Sequence, residues 1–247
     1  VADCLDWPGG EIRAMRAARN ALIIVGGPLL LLVASISSLL SFLRALSRHR
    51  SPHPFAVAGT ALTVLYAAVI RPWHLNWGRR RGEDPDLPGD EVLLAHGTSI
   101  WHSIEIEAPA EDVWPWVAQL GQDRGGFYSY EWLENLAGCE MVNADEIHPE
   151  WQEREVGDEV MIHPEVGLEV TVFEPSRVLG MKNWGNVVVD PLGPGRSRVI
   201  AHGRIGWGLP SVVYALLVEV PHFIMERKML RGIRERAEGS AASPHSD

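Results

Sequence analysis

The sequence predicts an α+β protein in which a curved antiparallel sheet packs against one long C-terminal helix, preceded by an N-terminal pair of membrane-spanning helices. Three patterns carry this prediction. Two long apolar runs lie before residue 78, apolar residues alternate between residues 98 and 205, and apolar residues recur at helical spacing from residue 212 to about 237. A sheet with one apolar face needs a second layer to cover it, and the long helix supplies that layer.

Two apolar runs near the N-terminus predict a membrane-spanning helical hairpin. The first, residues 21–43, contains no charged side chain and is long enough to cross the hydrocarbon core as a helix. The second, residues 55–73, reaches that length by including Trp73, and tryptophan is favoured at the headgroup level. Two alternatives stay open: a secretory signal peptide for the first run, and a buried or interfacial helix for the second.

The arginines around the hairpin predict its orientation. Seven flank the outer ends of the hairpin and three lie in the loop between the two runs. The positive-inside rule therefore places both outer ends, and the domain that follows, in the cytoplasm. We expect a multi-pass protein of the cell membrane with a membrane region over residues 1–77, a linker over 78–95, a main domain over 96–238 and a disordered tail over 239–247.

Charge and cysteine content exclude several classes of function. The net charge of the chain is −10, and residues 1–81 hold ten arginines and three acids, so the remaining residues carry about −17. An acidic main domain argues against nucleic acid as a partner, because phosphate binding needs a basic face. The two cysteines, Cys4 and Cys139, form neither a disulfide framework nor a CxxC motif. We expect no metal and no cofactor.

The main domain shows a definite order of elements. Residues 98–109 alternate as a strand that ends at a proline. Residues 110–121 and 129–138 each predict a short helix, and Ser129 is a suitable N-cap for the second. A run of strands follows, and the C-terminal helix comes last, with a break or kink expected at Pro221.

Three phrases in this order carry a resemblance to a known family. They are "IEAPAEDVWPWVAQLG", "GGFYSYEWLENLAG" and "PHFIMERKMLRGIRERAE". Together they resemble the SRPBCC superfamily, the START-like, helix-grip group that includes polyketide cyclase/dehydrase-like and lipid-transport proteins, and in particular a bacterial branch with an N-terminal membrane segment. The resemblance covers residues 98–238. It implies a helix-grip fold with a deep apolar cavity between sheet and helix, a small hydrophobic ligand and no fixed chemistry.

The glycine pair and the aromatic residues of "GGFYSYEWLENLAG" predict the mouth of that cavity. Gly125 and Gly126 allow a tight turn and a close approach of the backbone to a ligand, and we expect Tyr128 or Tyr130 to face the cavity. The candidate ligand-binding residues are Trp114, Phe127, Tyr128, Tyr130, Trp132, Asn135, His163, Trp184, His202, Met225 and Met229. The alternative for the aromatics and methionines is plain core, for Asn135 it is capping, and for the histidines it is a structural role.

Two residues of the last helix are candidates for catalysis. His222 and Glu226 lie four residues apart and share a helix face. Facing the cavity they could act as acid and base, whereas facing water they would form an ordinary surface pair. The histidine spacing matches no metal motif, and the sequence shows no GxSxG motif and no Ser/His/Asp order that would indicate a hydrolase.

These observations lead to three functional hypotheses. The first is membrane-anchored binding or transport of a small hydrophobic ligand, such as a lipid, an isoprenoid or a polyketide-like molecule, with the lipid bilayer as the other partner. The second is a polyketide cyclase or dehydratase that uses the same cavity. The third is a protein-interaction module whose cavity is filled by its own side chains. We expect binding without turnover.

Overall fold

The computed structural model describes residues 30–82 and 87–241. The described residues divide into two compact units: one contains residues 30–71 and Ala215–Leu217, and the other contains the described residues from Pro72 to Tyr214 and from Val218 to residue 241. The start of the first predicted span, Cys4 and the predicted tail beyond residue 241 lie outside the described residues.

Two helical segments near the N-terminus are long and apolar enough to cross a membrane. Helix α1 covers Leu30–Ser47 with a mean hydropathy of 1.8, and the second candidate span covers Pro54–Leu75 with a mean hydropathy of 1.5. The second span consists of α2 (Pro54–Leu65), a π-helical turn (Tyr66–Ile70) and α3 (Arg71–Leu75). Within the first unit, Gly59 of α2 lies so close to Ser38 of α1 that any larger side chain would collide there.

The second unit contains a six-stranded sheet. The strands are β1 (Thr98–Ile106), β2 (Glu159–His163), β3 (Val166–Glu174), β4 (Val178–Met181), β5 (Gly185–Gly193) and β6 (Arg196–Ile205). Their spatial order is β1-β6-β5-β4-β3-β2, and every neighbouring pair is antiparallel. The predicted α+β class is confirmed, with a long C-terminal helix and a six-stranded antiparallel sheet in the helix-grip arrangement.

Four helices accompany the sheet. They are α4 (Ala110–Ala118), α5 (Glu131–Leu136), α6 (Leu209–Val213) and α7 (Glu219–Ala241). Pro221 lies in the first turn of α7, directly after a π-helical turn (Tyr214–Val218), so the missing N–H is accommodated where the helical hydrogen bonding already changes. Helix α7 continues to Ala241, so residues 239–241, expected in the tail, are helical.

The sheet buries apolar side chains on both faces. On the inner face, residues such as Ile106 and Val199 form the main core with Leu230 and Ile233 of α7. On the outer face, the buried residues are Trp101, Val178, Val188 and Ile200, and Leu87 packs against them.

The compact unit that contains the sheet begins at Pro72, before the linker expected over residues 78–95. Ser103 N donates to the carbonyl oxygen of Trp77 at 2.9 Å, and the described part of the expected linker packs on the outer face of the sheet through Leu87 and Asp90. These residues are therefore part of the domain.

Candidate functional site

A cavity of about 190 Å³ opens between α7, strand β2 and the loops around α5. It is lined by Phe127, Ser129, Glu134, Cys139, Met141, Ile162, Trp184, His222, Met225, Glu226 and Met229. Most of this wall is apolar, and a small number of polar side chains interrupt it. Such a composition is typical of sites that bind small apolar molecules.

The loop from Gly121 to Ser129 builds one wall of the cavity. A bridge pairs Gly121 with Gly126, and Gly126 adopts a positive φ of 71°. A β-carbon on Gly126 would lie 2.6 Å from Oδ1 of Asn143, so only glycine fits this turn. The same Asn143 oxygen accepts a hydrogen bond from Tyr128 N at 2.6 Å, which fixes the loop so that Phe127 lines the cavity.

Helix α7 supplies the opposite wall. His222, Met225, Glu226 and Met229 recur at spacings of three and four residues and so share one face of the helix. Ser129 Oγ donates to the carbonyl oxygen of Met225 at 3.0 Å and joins the two walls. Ser129 therefore does not cap α5 as the sequence suggested, since the N-cap position belongs to Tyr130.

A buried ion pair stands behind the cavity. Nε2 of His102 lies 2.8 Å from the carbonyl oxygen of His74, and because a carbonyl oxygen only accepts, Nε2 carries a proton. Nδ1 of the same ring contacts Oε2 of Glu226. Burial alone would raise the pKa of Glu226, but His222 and His102 lower it below its ordinary value. The proton of this contact is therefore on the imidazole, and the pair is His102⁺ with Glu226⁻.

His222 continues this hydrogen-bonded arrangement to the cavity wall. Burial lowers the pKa of His222, an effect that Glu226 opposes and His102 adds to, so the ring is neutral at pH 7. Its Nε2 faces Oε1 of Glu226 at 3.5 Å, and its Nδ1 lies 2.7 Å from the hydroxyl of Tyr214. Because the carboxylate only accepts, the ring proton belongs on Nε2, and Nδ1 accepts from Tyr214.

Two smaller features adjoin the pair. Nε2 of His74 lies 3.3 Å from Oε1 of Glu219, and both side chains are buried. A recess of about 10 Å³ opens beside His222 and Glu226, close to the volume that one water molecule needs. The inner face of the domain thus carries two acid–histidine pairs and room for a water next to one of them.

Glu134 forms a second polar position in the cavity wall. Its side chain is only 5% exposed, and among the described residues its Oε2 has no hydrogen-bond partner. Burial, with a smaller contribution from the negative charge of Glu131, raises the pKa of Glu134 to about 7. Burial, and then the nearby Glu134, also raise the pKa of the Cys139 thiol, which lines the same part of the wall.

Six residues predicted from the sequence line the cavity. They are Phe127, Trp184, Met225 and Met229 from the ligand-binding set and the pair His222 and Glu226. Both side chains of the pair are largely buried, so it is not an exposed surface pair. Their assignment to ligand binding or catalysis stays a prediction.

The other predicted residues lie elsewhere. Neither Tyr128 nor Tyr130 is among the residues that line this cavity. Tyr128 is buried against Trp116 with ring centroids 5.8 Å apart, and its backbone has a positive φ of 53°. Tyr130 is 38% exposed at the start of α5, and Trp132 is 69% exposed on that helix.

Four more predicted residues have structural contacts instead. Trp114 packs on Phe173 with ring centroids 5.6 Å apart. Asn135 Nδ2 donates to the carbonyl oxygen of Met141 at 2.9 Å, so it holds the loop after α5. His163 accepts from Glu165 N at 3.1 Å in the turn after β2. His202 lies on the outer face of the sheet, on the opposite side from the cavity.

The outer face brings together a serine, a histidine and an aspartate that the sequence did not connect. Oδ1 of Asp90 lies 2.9 Å from Nδ1 of His202, and Nε2 of His202 lies 3.1 Å from Oγ of Ser99. Asp90 Oδ1 also accepts from Asn186 Nδ2 at 3.3 Å, and its Oδ2 accepts from Leu87 N at 3.1 Å. The cluster ties the segment before β1 to the sheet.

Sequence reasoning missed His102 and Glu134. His102 interrupts an alternating apolar face of β1, and a polar residue at a core position was the available signal. Glu134 lies beside Leu133 in a helix of only six residues, and such a short amphipathic pattern did not fix which face is buried. Among the described residues, no group of three or more His, Cys, Asp or Glu side chains is arranged to hold a metal ion.

Comparison with known proteins gives structural similarity at low identity. No protein-family model matches the chain, and no curated protein is similar to it. A conserved protein of unknown function from Enterococcus faecalis is 13% identical with a TM-score of 0.36, over 63% of this chain and 80% of that one. A polyketide-cyclase-like protein from Corynebacterium glutamicum is 16% identical with a TM-score of 0.31, over 62% and 99%. A protein from Arthrobacter aurescens is 16% identical with a TM-score of 0.33, over 60% and 91%.

Proposed function

We propose that this protein binds a small apolar molecule in the cavity between α7 and β2, and that its two N-terminal helices anchor it in a membrane. The observation that carries the proposal is a cavity of about 190 Å³ whose wall is mostly apolar. A dry cavity of about 150 Å³ holds one benzene molecule. The ligand is therefore about the size of one substituted ring or a short branched chain.

The sequence phrases that resemble the SRPBCC superfamily support this proposal. They fall on β1 and α4, on the loop that leads into α5, and on α7, which are the elements that build the core and the cavity walls. Membership of that superfamily is part of the proposal. So is the cytoplasmic location of the domain, which follows from the arginines at the outer ends of the hairpin.

The binding proposal is tested by what the protein carries. The full chain is purified in mild detergent and extracted, and the small molecules are identified by mass spectrometry. A Met225→Trp variant fills the cavity, and an Ile224→Trp variant adds the same ring to the neighbouring, exposed position of α7. We expect one apolar compound at stoichiometric amount in the wild type and in Ile224→Trp but not in Met225→Trp. An empty protein, or bulk phospholipid in all three forms, would refute the proposal and favour an interaction module.

The proposed orientation is tested separately by labelling single cysteines. With Cys4 and Cys139 replaced by serine, Ser51→Cys places a thiol between the two candidate spans, and Gly195→Cys places one at the exposed turn between β5 and β6. We expect a membrane-impermeant maleimide to label the first variant on intact cells and the second only after lysis. Labelling of the second variant on intact cells would reverse the orientation.

A second candidate function is acid–base catalysis on the bound molecule, as in a cyclase or dehydratase. The observation that favours it is the neutral His222 at the cavity wall, hydrogen-bonded to Tyr214 and backed by Glu226, with room for one water beside it. The test uses the compound identified by mass spectrometry and a His222→Asn variant. Turnover by the wild type that is lost in the variant, with binding retained, would establish an enzyme. Binding without turnover in both forms leaves a binding protein.

A further inference from the structure

Among the described residues, one oxygen of a carboxyl group in the cavity wall has no hydrogen-bond partner. We infer that the bound molecule carries a basic amine that is held by Glu134. This inference rests on the proposed function, because it names the chemical class of the molecule in the same cavity.

The side chain of Glu134 lines the cavity, is 5% exposed, and has an Oε2 with no partner among the described residues. A buried polar atom without a hydrogen-bond partner destabilises the protein. The other carboxylate of the cavity, Glu226, is already satisfied by His102 and His222. Glu134 is therefore the carboxyl group of this wall that still lacks a partner for one of its oxygens.

The charged and titratable groups near Glu134 also bear on the charge of the ligand. Glu131 on the same helix adds a second negative charge, and the Cys139 thiol beside it is neutral at pH 7 because its pKa is raised. Across the cavity, the negative charge of Glu226 is balanced by His102, and His222 is neutral. His163 on β2 lies near Gly138, at the end of α5. The nearest charge, that of Glu131, is negative, so an anion is repelled here and a cation is attracted.

The amine also fits the remaining wall. Phe127 and Ile162 form apolar surface, and Met225 and Met229 adapt to irregular shapes. A molecule with one apolar ring or branched chain and one ammonium group would place the ring against these residues and the ammonium against Glu134. Binding of such a molecule ionises the carboxyl group, so affinity for the amine should rise as the pH increases through about 7.

The test compares three probes that differ only in the end group: 3-phenylpropylamine, 3-phenylpropan-1-ol and 3-phenylpropanoate. The full chain in amphipol is titrated calorimetrically, and the heat with the Met225→Trp variant is subtracted as partitioning into the amphipol. We expect the amine to bind about tenfold or more tightly than the alcohol, and the carboxylate most weakly. Glu134→Gln should remove most of the preference for the amine and leave the alcohol nearly unchanged.

A matched variant controls for overall charge. Glu131→Gln removes the same charge from the same helix at an exposed position and should keep the order of the three probes. Equal binding of all three, still blocked by Met225→Trp, would overturn the amine inference and leave the binding proposal standing. Tightest binding of the carboxylate would overturn it too. If no probe gives more binding heat than the Met225→Trp background, both the amine inference and the binding proposal are contradicted.

Discussion

Nδ1 of His102 on β1 donates a hydrogen bond to Oε2 of Glu226 on α7, and the two side chains are 1% and 6% exposed. This contact joins the first strand of the sheet to the long helix across 124 residues of sequence. Two opposite charges at this depth stabilise the fold only while both are present, because a single buried charge has no solvent to compensate it. Because Glu226 also lines the cavity, loss of this pair should disturb both the cavity wall and the packing of α7 on the sheet.

Removing one partner should destabilise the domain strongly. Glu226→Ala leaves the His102 imidazole without its partner, and we expect the free energy of unfolding to fall by about 3–5 kcal/mol in urea titrations. The matched control is Glu235→Gln on the same helix, which breaks a surface pair with Lys228 and should change stability by about 1 kcal/mol or less. Equal effects of the two variants would show that the buried pair has no special role.

The stability of the domain should depend on Glu134 in a defined pH range. The pKa of this group is raised from 4.5 to about 7 on folding, so the folded state binds its proton more tightly than the unfolded state. Its contribution to stability is complete below about pH 4.5 and is lost as the pH rises through 7. A glutamine at this position does not titrate, so the stability of Glu134→Gln does not fall with pH for this reason.

The measurement is the free energy of unfolding of both forms from pH 4.5 to 8. The variant should gain stability relative to the wild type across this range, by on the order of 3 kcal/mol at the upper end. A difference between the two forms that stays constant with pH would show that Glu134 titrates with its ordinary pKa.

Much of the fold could be predicted from local sequence patterns. The alternation of Ile100, Ile104 and Ile106 predicts which face of β1 is buried, and the structure places Ile106 in the main core with α7. The same patterns could not show that the described residues between Pro72 and residue 95 lie in the same compact unit as the sheet. Their contacts are with β1 and β6, and such long-range pairing leaves no periodic signal in the linker itself.

The candidate site was predicted less completely, because its key contacts join distant residues. His222 and Glu226 were found from their spacing on one helix, whereas their partner His102 lies on the first strand. Tyr128 and Tyr130 were expected at the cavity because aromatic residues follow a glycine pair. Tyr128 is buried in the core, where its backbone has a positive φ that no sequence pattern indicates, and Tyr130 is partly exposed at the start of α5.

Gly232 of α7 should be required for the position of the cavity loop. A β-carbon there would lie 2.6 Å from Cβ of Tyr128 and would collide with its backbone, so Gly232→Ala has to push the loop away from the helix. Alanine is the better helix former by about 1 kcal/mol, yet we expect the variant to be less stable and to bind less ligand. Gly239→Ala is the matched control, because nothing lies within 4 Å of its β-carbon position, and it should be neutral or slightly stabilising. A stable Gly232→Ala variant with normal binding would contradict this packing.

The cluster of Asp90, His202 and Ser99 on the outer face should act as a structural clamp on the segment before β1. Asp90→Ala removes the acceptor of three hydrogen bonds, and we expect a loss of about 2–3 kcal/mol in stability and faster hydrogen exchange over residues 87–95. Ser99→Ala removes only the contact between Oγ of Ser99 and Nε2 of His202, at 3.1 Å, and should cost about 1 kcal/mol in stability.

The same three residue types serve hydrolases as nucleophile, base and orienting acid, so the cluster is also tested with a fluorophosphonate probe, which labels activated serines. Covalent labelling of Ser99 that disappears in Asp90→Ala would replace the structural role with a catalytic one.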